Sequence, residues 1–72
     1  MNLCDTKIGE KVVIEKVNND CKIYRRLLDI GVIPGTKVEC VLINPSGNPR
    51  AYLIRGAVIA IRNEDAKYVE VA

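Results

Sequence analysis

The first third of the chain changes from a strand-like to a helix-like hydrophobic pattern. Lys11–Val17 reads KVVIEKV, a run rich in β-branched residues that is typical of a β-strand. The polar sequence Asn-Asn-Asp at residues 18–20 consists of residue types that cap helix N-termini. In residues 21–30 the apolar side chains recur at spacings of four and three, namely Ile23, Leu27 and Ile30. This stripe predicts a helix of at most three turns with one face towards the core.

Turn residues divide the rest of the chain into four further predicted strands. Gly31 is placed to end the helix, and Pro34-Gly35 occupies the central positions of a type II turn. The strands are Lys37–Ile43, residues 50–55, residues 57–62 and residues 67–71, with one helical turn at residues 63–66. Five short strands with one short helix between strands 1 and 2 predict a mostly β fold. We expect a small barrel, because a short open sheet would leave its edges unprotected.

Length, composition and charge limit what such a barrel can be. A chain of 72 residues with 49% apolar and 28% charged residues predicts one domain over residues 1–72 with its own core. The formal net charge is +2 with acids and bases interleaved, whereas nucleic-acid modules gather Lys and Arg on one face, so we expect no nucleic-acid partner. No segment has the apolar run of a signal peptide or a membrane helix. We therefore expect a cytoplasmic protein without direct membrane insertion.

The chemistry-bearing residues favour binding over catalysis. Histidine is absent, and no nucleotide-binding or nucleophile-elbow glycine motif occurs, so neither an enzyme activity nor a cofactor is expected. The three cysteines, an odd number at wide spacing, fit a reducing cytoplasm better than a disulfide framework. They are Cys4, Cys21 and Cys40. We interpret Cys21 and Cys40 as small core residues; the alternative, a metal site, requires the three sulfur atoms to converge.

Two features, one on the predicted helix and one directly after it, are not explained by folding alone. Arg25 and Arg26 lie away from the apolar stripe, with Asp29 within reach for ion pairs. They fit a solvated helix face, a phosphate-contacting patch or a partner-binding face. The apolar sequence Val-Ile-Pro at residues 32–34 either plugs one end of the barrel or stays exposed as an anchor beside the arginines. We expect the plug.

The sequence RRLLDIGVIPGTKV at residues 25–38 closely resembles the core motif of FeoA, a family of small cytoplasmic proteins of bacterial ferrous-iron uptake. The resemblance continues in KIGE at residues 7–10, GNP at residues 47–49 and GAVIAIR at residues 56–62. Arg50 departs from the family pattern, and we interpret it as marking an edge strand whose side chain reaches water. The resemblance covers nearly the whole chain and implies an SH3-like barrel.

The same resemblance implies a use for the helix and the turn that follows it. FeoA proteins support FeoB, a membrane transporter with a cytosolic G-protein domain, so the resemblance implies an accessory protein that binds or regulates that domain. For this contact we predict Arg25, Arg26 and Asp29 as polar residues, and Ile33 and Pro34 as apolar anchors. Two alternatives stay open: a metal-binding domain or metallochaperone that uses the three thiols, and a nucleic-acid-binding small barrel.

Overall fold

The computed structural model describes all 72 residues, and its regular elements follow the expected order along the chain. The strands are β1 (Lys11–Val17), β2 (Lys37–Ile43), β3 (Arg50–Ile54), β4 (Ala57–Ile61) and β5 (Val69–Val71). The helices are α1 (Tyr24–Asp29), between β1 and β2, and α2 (Asn63–Ala66), between β4 and β5. A 3₁₀ turn at Leu3–Asp5 precedes β1.

The five strands form one antiparallel sheet in the order β4-β3-β2-β1-β5. Register shifts interrupt the ladders between Ile14 and Lys16 in β1 and between Cys40 and Leu42 in β2. Irregularities of this kind bend a strand and increase its twist, which lets the sheet wrap around a core. No hydrogen-bonded register joins β4 to β5, so the wrapped sheet stays open between its two edge strands. The mostly β architecture is confirmed, and the open seam is where it departs from a closed ring.

The core lies between the inner face of the wrapped sheet and α1. Alternate strand residues point inwards, as expected for a sheet with one buried face; they include Val12, Ile14, Val38, Ile54 and Val69. Tyr52 is the largest fully buried side chain, and its hydroxyl donates a hydrogen bond to the Leu3 carbonyl oxygen at 3.2 Å. Because buried polar groups need partners, this bond ties the N-terminal turn to the centre of the sheet.

α1 begins later than the helix expected over residues 21–30. The polar residues before it stabilise a turn instead of capping a helix: the Asn18 side-chain oxygen accepts a hydrogen bond from the Asp20 N–H at 2.9 Å. Asn and Asp readily make such local bonds to the backbone, which compete with helix formation. The residue before the first turn of α1 is Ile23, which gives no side-chain cap. Neither α1 nor α2 has the length and the apolar composition of a membrane-spanning helix.

The end of α1 follows the expectation from Gly31, which has a φ of +102°. Its N–H donates a hydrogen bond to the Leu28 carbonyl oxygen at 3.1 Å, and the Val32 N–H donates to the Leu27 carbonyl oxygen at 2.9 Å. This pair of bonds is the Schellman motif, which satisfies the last free carbonyl groups of a helix. The chain therefore leaves α1 in a fixed direction.

A type II turn then reverses the chain into β2, as the Pro-Gly pair predicts. Gly35 has a φ of +90°, and the Thr36 N–H donates to the Ile33 carbonyl oxygen at 3.1 Å. The Gly35 N–H also donates to the Ile14 carbonyl oxygen at 2.8 Å. This second bond fastens the turn to β1, so the turn is part of the folded framework.

The expectation for Arg50 is wrong, because β3 is a central strand. It lies between β2 and β4, and the guanidinium of Arg50 is partly buried and donates from Nη1 to the Thr6 carbonyl oxygen at 2.6 Å. The expected boundaries of β3 and β4 were also one residue too long. Arg55 and Gly56 have φ values of +50° and +82°, the backbone of a two-residue hairpin turn, so neither belongs to a strand.

Candidate partner-binding surface

α1 carries three of the five expected contact residues and presents them to solvent. Arg25, Arg26 and Asp29 are all exposed, while the opposite side of the helix packs on the core. The ion pairs that their spacing allows do not form: the one salt bridge of the structure joins Arg62 and Glu64 at 3.6 Å. Two guanidinium groups are therefore free to bind carboxylates, for which the planar donor fork of arginine is well suited.

The apolar residues after α1 divide between core and surface. Val32 is fully buried, so it plugs the core as expected. Ile33 is half-buried and Pro34 is exposed. The turn therefore offers a smaller apolar surface than three exposed residues would. The hydrogen bonds of the type II turn hold this surface rigid. We define the α1–turn surface as Arg25, Arg26, Asp29, Ile33 and Pro34.

A groove with a cavity of about 410 Å³ lies between α1 and β4. Its apolar lining comes from both elements and consists of Ile23, Leu27, Ile30, Ile59, Ala60 and Ile61. Three charged residues, Arg26, Arg62 and Asp65, line it as well. Of the α1–turn surface, only Arg26 reaches this groove, so the structure splits the expected contact residues between two neighbouring regions.

The outer side of β3 and β4 holds exposed apolar residues that the sequence pattern does not single out. Val58 is 65% exposed, and its cross-strand partner Leu53 is 37% exposed. The sequence of β4, AVIAI, contains no charged residue and no proline. Edge strands commonly carry such residues, so the composition of β4 does not mark it as an edge. Which strand forms the edge is visible only in the pairing of the strands.

The three thiols belong to no cluster of potential metal ligands. No three His, Cys, Asp or Glu side chains come close enough together to hold a metal ion. Burial raises the pKa of Cys4 and of Cys21, and the nearby Asp5 and Asp65 carboxylates add to the respective increases. A thiol with a raised pKa stays protonated at neutral pH, whereas the thiolate is the form that binds metals. The convergence required by the metal-binding alternative is absent.

One family model accounts for the whole length of this chain. The FeoA domain matches residues 1–72. The chain belongs to the FeoA family. A relative from Porphyromonas gingivalis (strain ATCC BAA-308 / W83), the Fe(2+) transport protein A/Fe(2+) transporter FeoB fusion protein, is 30% identical over 71 residues. The match covers 99% of this FeoA-family chain and 8% of the relative, so the chain spans a small part of that protein's length.

Solved structures of FeoA proteins share the fold. The crystal structure of Stenotrophomonas maltophilia FeoA complexed with zinc, a prokaryotic SH3-domain protein, has a TM-score of 0.89 at 29% identity and covers 100% of this chain and 89% of that one. The NMR structure of a FeoA-like protein from Clostridium acetobutylicum has a TM-score of 0.91 at 28% identity, covering 100% and 84%. The SH3-like fold that the sequence resemblance implied is confirmed.

Proposed function

We propose that this protein is a cytoplasmic accessory of ferrous-iron uptake that binds the cytosolic G-protein part of FeoB. One observation carries the proposal: the relative from P. gingivalis joins Fe(2+) transport protein A and the FeoB transporter in one polypeptide. Fusion keeps two parts together at a high effective concentration. A binding surface achieves the same result when the two parts are separate chains.

The α1–turn surface has the properties that such a contact needs. The guanidinium groups of Arg25 and Arg26 are exposed and make no ion pair, so a partner's carboxylates do not have to displace an internal one. Arginine is also among the residues that most often carry binding energy at interfaces. Pro34 and part of Ile33 add an apolar contact whose backbone is already fixed, which lowers the entropy lost on binding.

Regulation of a G protein by this contact requires only that the contact have unequal affinities for the two nucleotide states of the G protein. A protein that binds one nucleotide state of its partner more tightly than the other shifts the balance between the two states by the ratio of the affinities. We propose that the protein acts on the transporter in this way, by binding one nucleotide state more tightly than the other through the α1–turn surface.

A titration of the ¹⁵N-labelled protein with the isolated cytosolic domain of FeoB, with GTP and without nucleotide, tests the proposal. We expect chemical-shift changes centred on residues 24–36 in at least one state. Arg25→Glu is expected to weaken binding about tenfold or more, whereas Lys7→Glu, the same charge change on an exposed loop outside the surface, leaves the affinity within about twofold. The proposal fails if the domain shifts these resonances neither with GTP nor without nucleotide.

A further inference from the structure

We propose a second binding surface: the free edge of β4 and the adjoining groove accept an extended peptide segment of another protein, which adds to the sheet as a sixth strand. The segment has an apolar centre and acidic ends. This proposal does not rest on the binding of FeoB, because Arg26 is the one residue that the new surface shares with the α1–turn surface.

The free edge of β4 presents unpaired backbone groups. Ile54 and Ala57 flank the two-residue turn and form the first pair of the β3–β4 ladder. In an antiparallel hairpin, pairs that exchange two hydrogen bonds alternate with pairs that exchange none. The N–H and C=O groups of Val58 and Ala60 therefore point away from β3. No hydrogen bond outside the ladder reaches them.

Nothing in β4 protects this edge. Natural edge strands commonly carry lysine, proline or a bulge, or lie under a covering segment. β4 has neither lysine nor proline, and it pairs with β3 in an unbroken register from Ala57 to Ile61. Ala60 lines the groove beside α1, so alternate side chains of an added strand would enter an apolar cavity of about 410 Å³. In strand addition, backbone bonds supply affinity and such pockets supply specificity.

The charges around the edge define the ends of the occupant. Arg55 precedes β4, Arg62 follows it, and Arg26 lines the groove from α1. The salt bridge between Arg62 and Glu64 is 74% and 65% exposed at its two side chains, so it contributes little and a peptide carboxylate can replace Glu64. Asp65 is the one acidic residue that lines the groove. Three arginines against two carboxylates, Glu64 and Asp65, leave a net positive charge around the edge and favour a segment with Asp or Glu at its ends.

The same charges disfavour a second copy of this chain as the occupant. Antiparallel pairing of two β4 strands would bring Arg62 of each copy towards Arg55 of the other. Like charges placed opposite each other across a strand pair are destabilising. Pairing between two copies of β4 is therefore disfavoured, whereas pairing with an acidic, apolar segment of a different protein is favoured.

A selection from a displayed library of random ten-residue peptides against the full chain tests the proposal. We expect enriched peptides with an apolar centre and acidic ends. The most enriched peptide, made synthetically, is then the probe for amide hydrogen exchange. Its binding is expected to slow exchange at Val58 and Ala60 at least tenfold, because these two N–H groups gain partners. Exchange at Ile59 and Ile61, which already bond to β3, should change much less.

Two variants separate edge pairing from other modes of binding. Ala60→Pro removes an outward N–H without breaking a bond to β3, and we expect it to raise the dissociation constant of the probe at least tenfold. Arg26→Glu/Arg62→Glu should weaken the probe similarly and should shift the library selection to peptides with basic ends. This second variant decides the matter if Ala60→Pro does not fold. Lys7→Glu/Lys22→Glu, the same change in charge at two exposed lysines outside both surfaces, is the matched control and should leave probe binding unchanged.

Three results would overturn the proposal. The first is enrichment of no peptide over that on an unrelated protein of similar charge. The second is a probe that binds both variants as tightly as the unmodified protein. The third is slow exchange at Val58 and Ala60 without peptide, together with a dimer in sedimentation, which would assign the edge to a second copy. Each differs from a failed FeoB titration, because the peptide assays contain no FeoB.

Discussion

The Arg55 side chain lies directly against Gly31, at the joint between the end of α1 and the β3–β4 turn. A Cβ atom on Gly31 would be 2.8 Å from Cδ and 3.0 Å from Nε of Arg55. Gly31 is therefore constrained twice, by its φ of +102° and by the neighbouring side chain. The contact joins two stretches that are far apart in the sequence, the end of α1 and the hairpin that carries β4.

Substitution of Gly31 by alanine is expected to destabilise the protein through both constraints. A backbone held at positive φ costs an L-residue about 1–3 kcal/mol. Displacement of the Arg55 side chain adds to this cost. Urea unfolding followed by circular dichroism should show the loss as a lower midpoint at an unchanged slope.

Gly35→Ala is the matched control for this loss. Gly35 has a similar φ of +90°, but no atom lies within 4 Å of the position of its missing Cβ. It should lose only the backbone contribution, so the difference between the two variants measures the Arg55 contact. Arg55→Ala in the Gly31→Ala background should recover that difference. Equal losses for Gly31→Ala and Gly35→Ala would show that the contact contributes nothing.

Reversal of the two arginine charges on α1 is expected to leave the fold intact. Arg25 and Arg26 are exposed and make no ion pair, so Arg25→Glu/Arg26→Glu should change the free energy of unfolding by less than about 0.5 kcal/mol. Thermal unfolding checks this directly. A larger loss would mean that the arginines stabilise the helix, and weaker binding by the variant could then not be attributed to the interface.

The strands and the turns of this protein follow from local patterns in the sequence. The bounds of β1 and β2 agree with the expectation, because a run of β-branched residues between turn residues carries enough information for a short strand. Gly31 and Pro34-Gly35 were also interpreted correctly, since a positive φ or a fixed φ allows few alternatives. The start of α1 was missed because Asn18 bonds to a turn, a choice that depends on neighbours in space.

The position of a strand within the sheet could not be read from local patterns. The departure of Arg50 from the family pattern predicts an edge residue, although β3 is central and Thr6 supplies the partner of its guanidinium. The same limit applies to β4, whose uncharged sequence does not reveal that Val58 lies at the open edge. Both depend on which strands pair, a long-range property. Composition and single-residue spacing carry little information about it.

Asn63 is expected to stabilise the loop between β2 and β3. Its side-chain amide donates a hydrogen bond to the Gly47 carbonyl oxygen at 2.8 Å, and its backbone N–H donates to the Asn48 side-chain oxygen at 3.0 Å. Asn63→Ala should lower the free energy of unfolding by about 1 kcal/mol and speed amide exchange in residues 44–48. Asn19→Ala, at an exposed asparagine without such bonds, should do neither. Unchanged exchange in the loop would contradict this role.

Tyr52 should make the protein less stable in alkali. Burial raises the pKa of Tyr52 to about 12, above the usual tyrosine value of about 10. Between these pH values the unfolded chain has lost the phenolic proton while the folded protein keeps it. The unfolded state then binds fewer protons, so the free energy of unfolding falls as pH rises through this interval. Urea unfolding at pH 9, 10 and 11 should reveal this decline.

Tyr52→Phe isolates this effect from the other groups that titrate in alkali. The variant also loses the hydrogen bond to the Leu3 carbonyl oxygen, which should lower the stability by about 1 kcal/mol at every pH. That loss is a constant offset, so the measured quantity is the slope of stability against pH. The slope between pH 10 and 11 should be shallower in Tyr52→Phe than in the unmodified protein. Identical slopes would mean that Tyr52 ionises as readily in the folded protein as in the unfolded chain, and that its burial does not hold the proton.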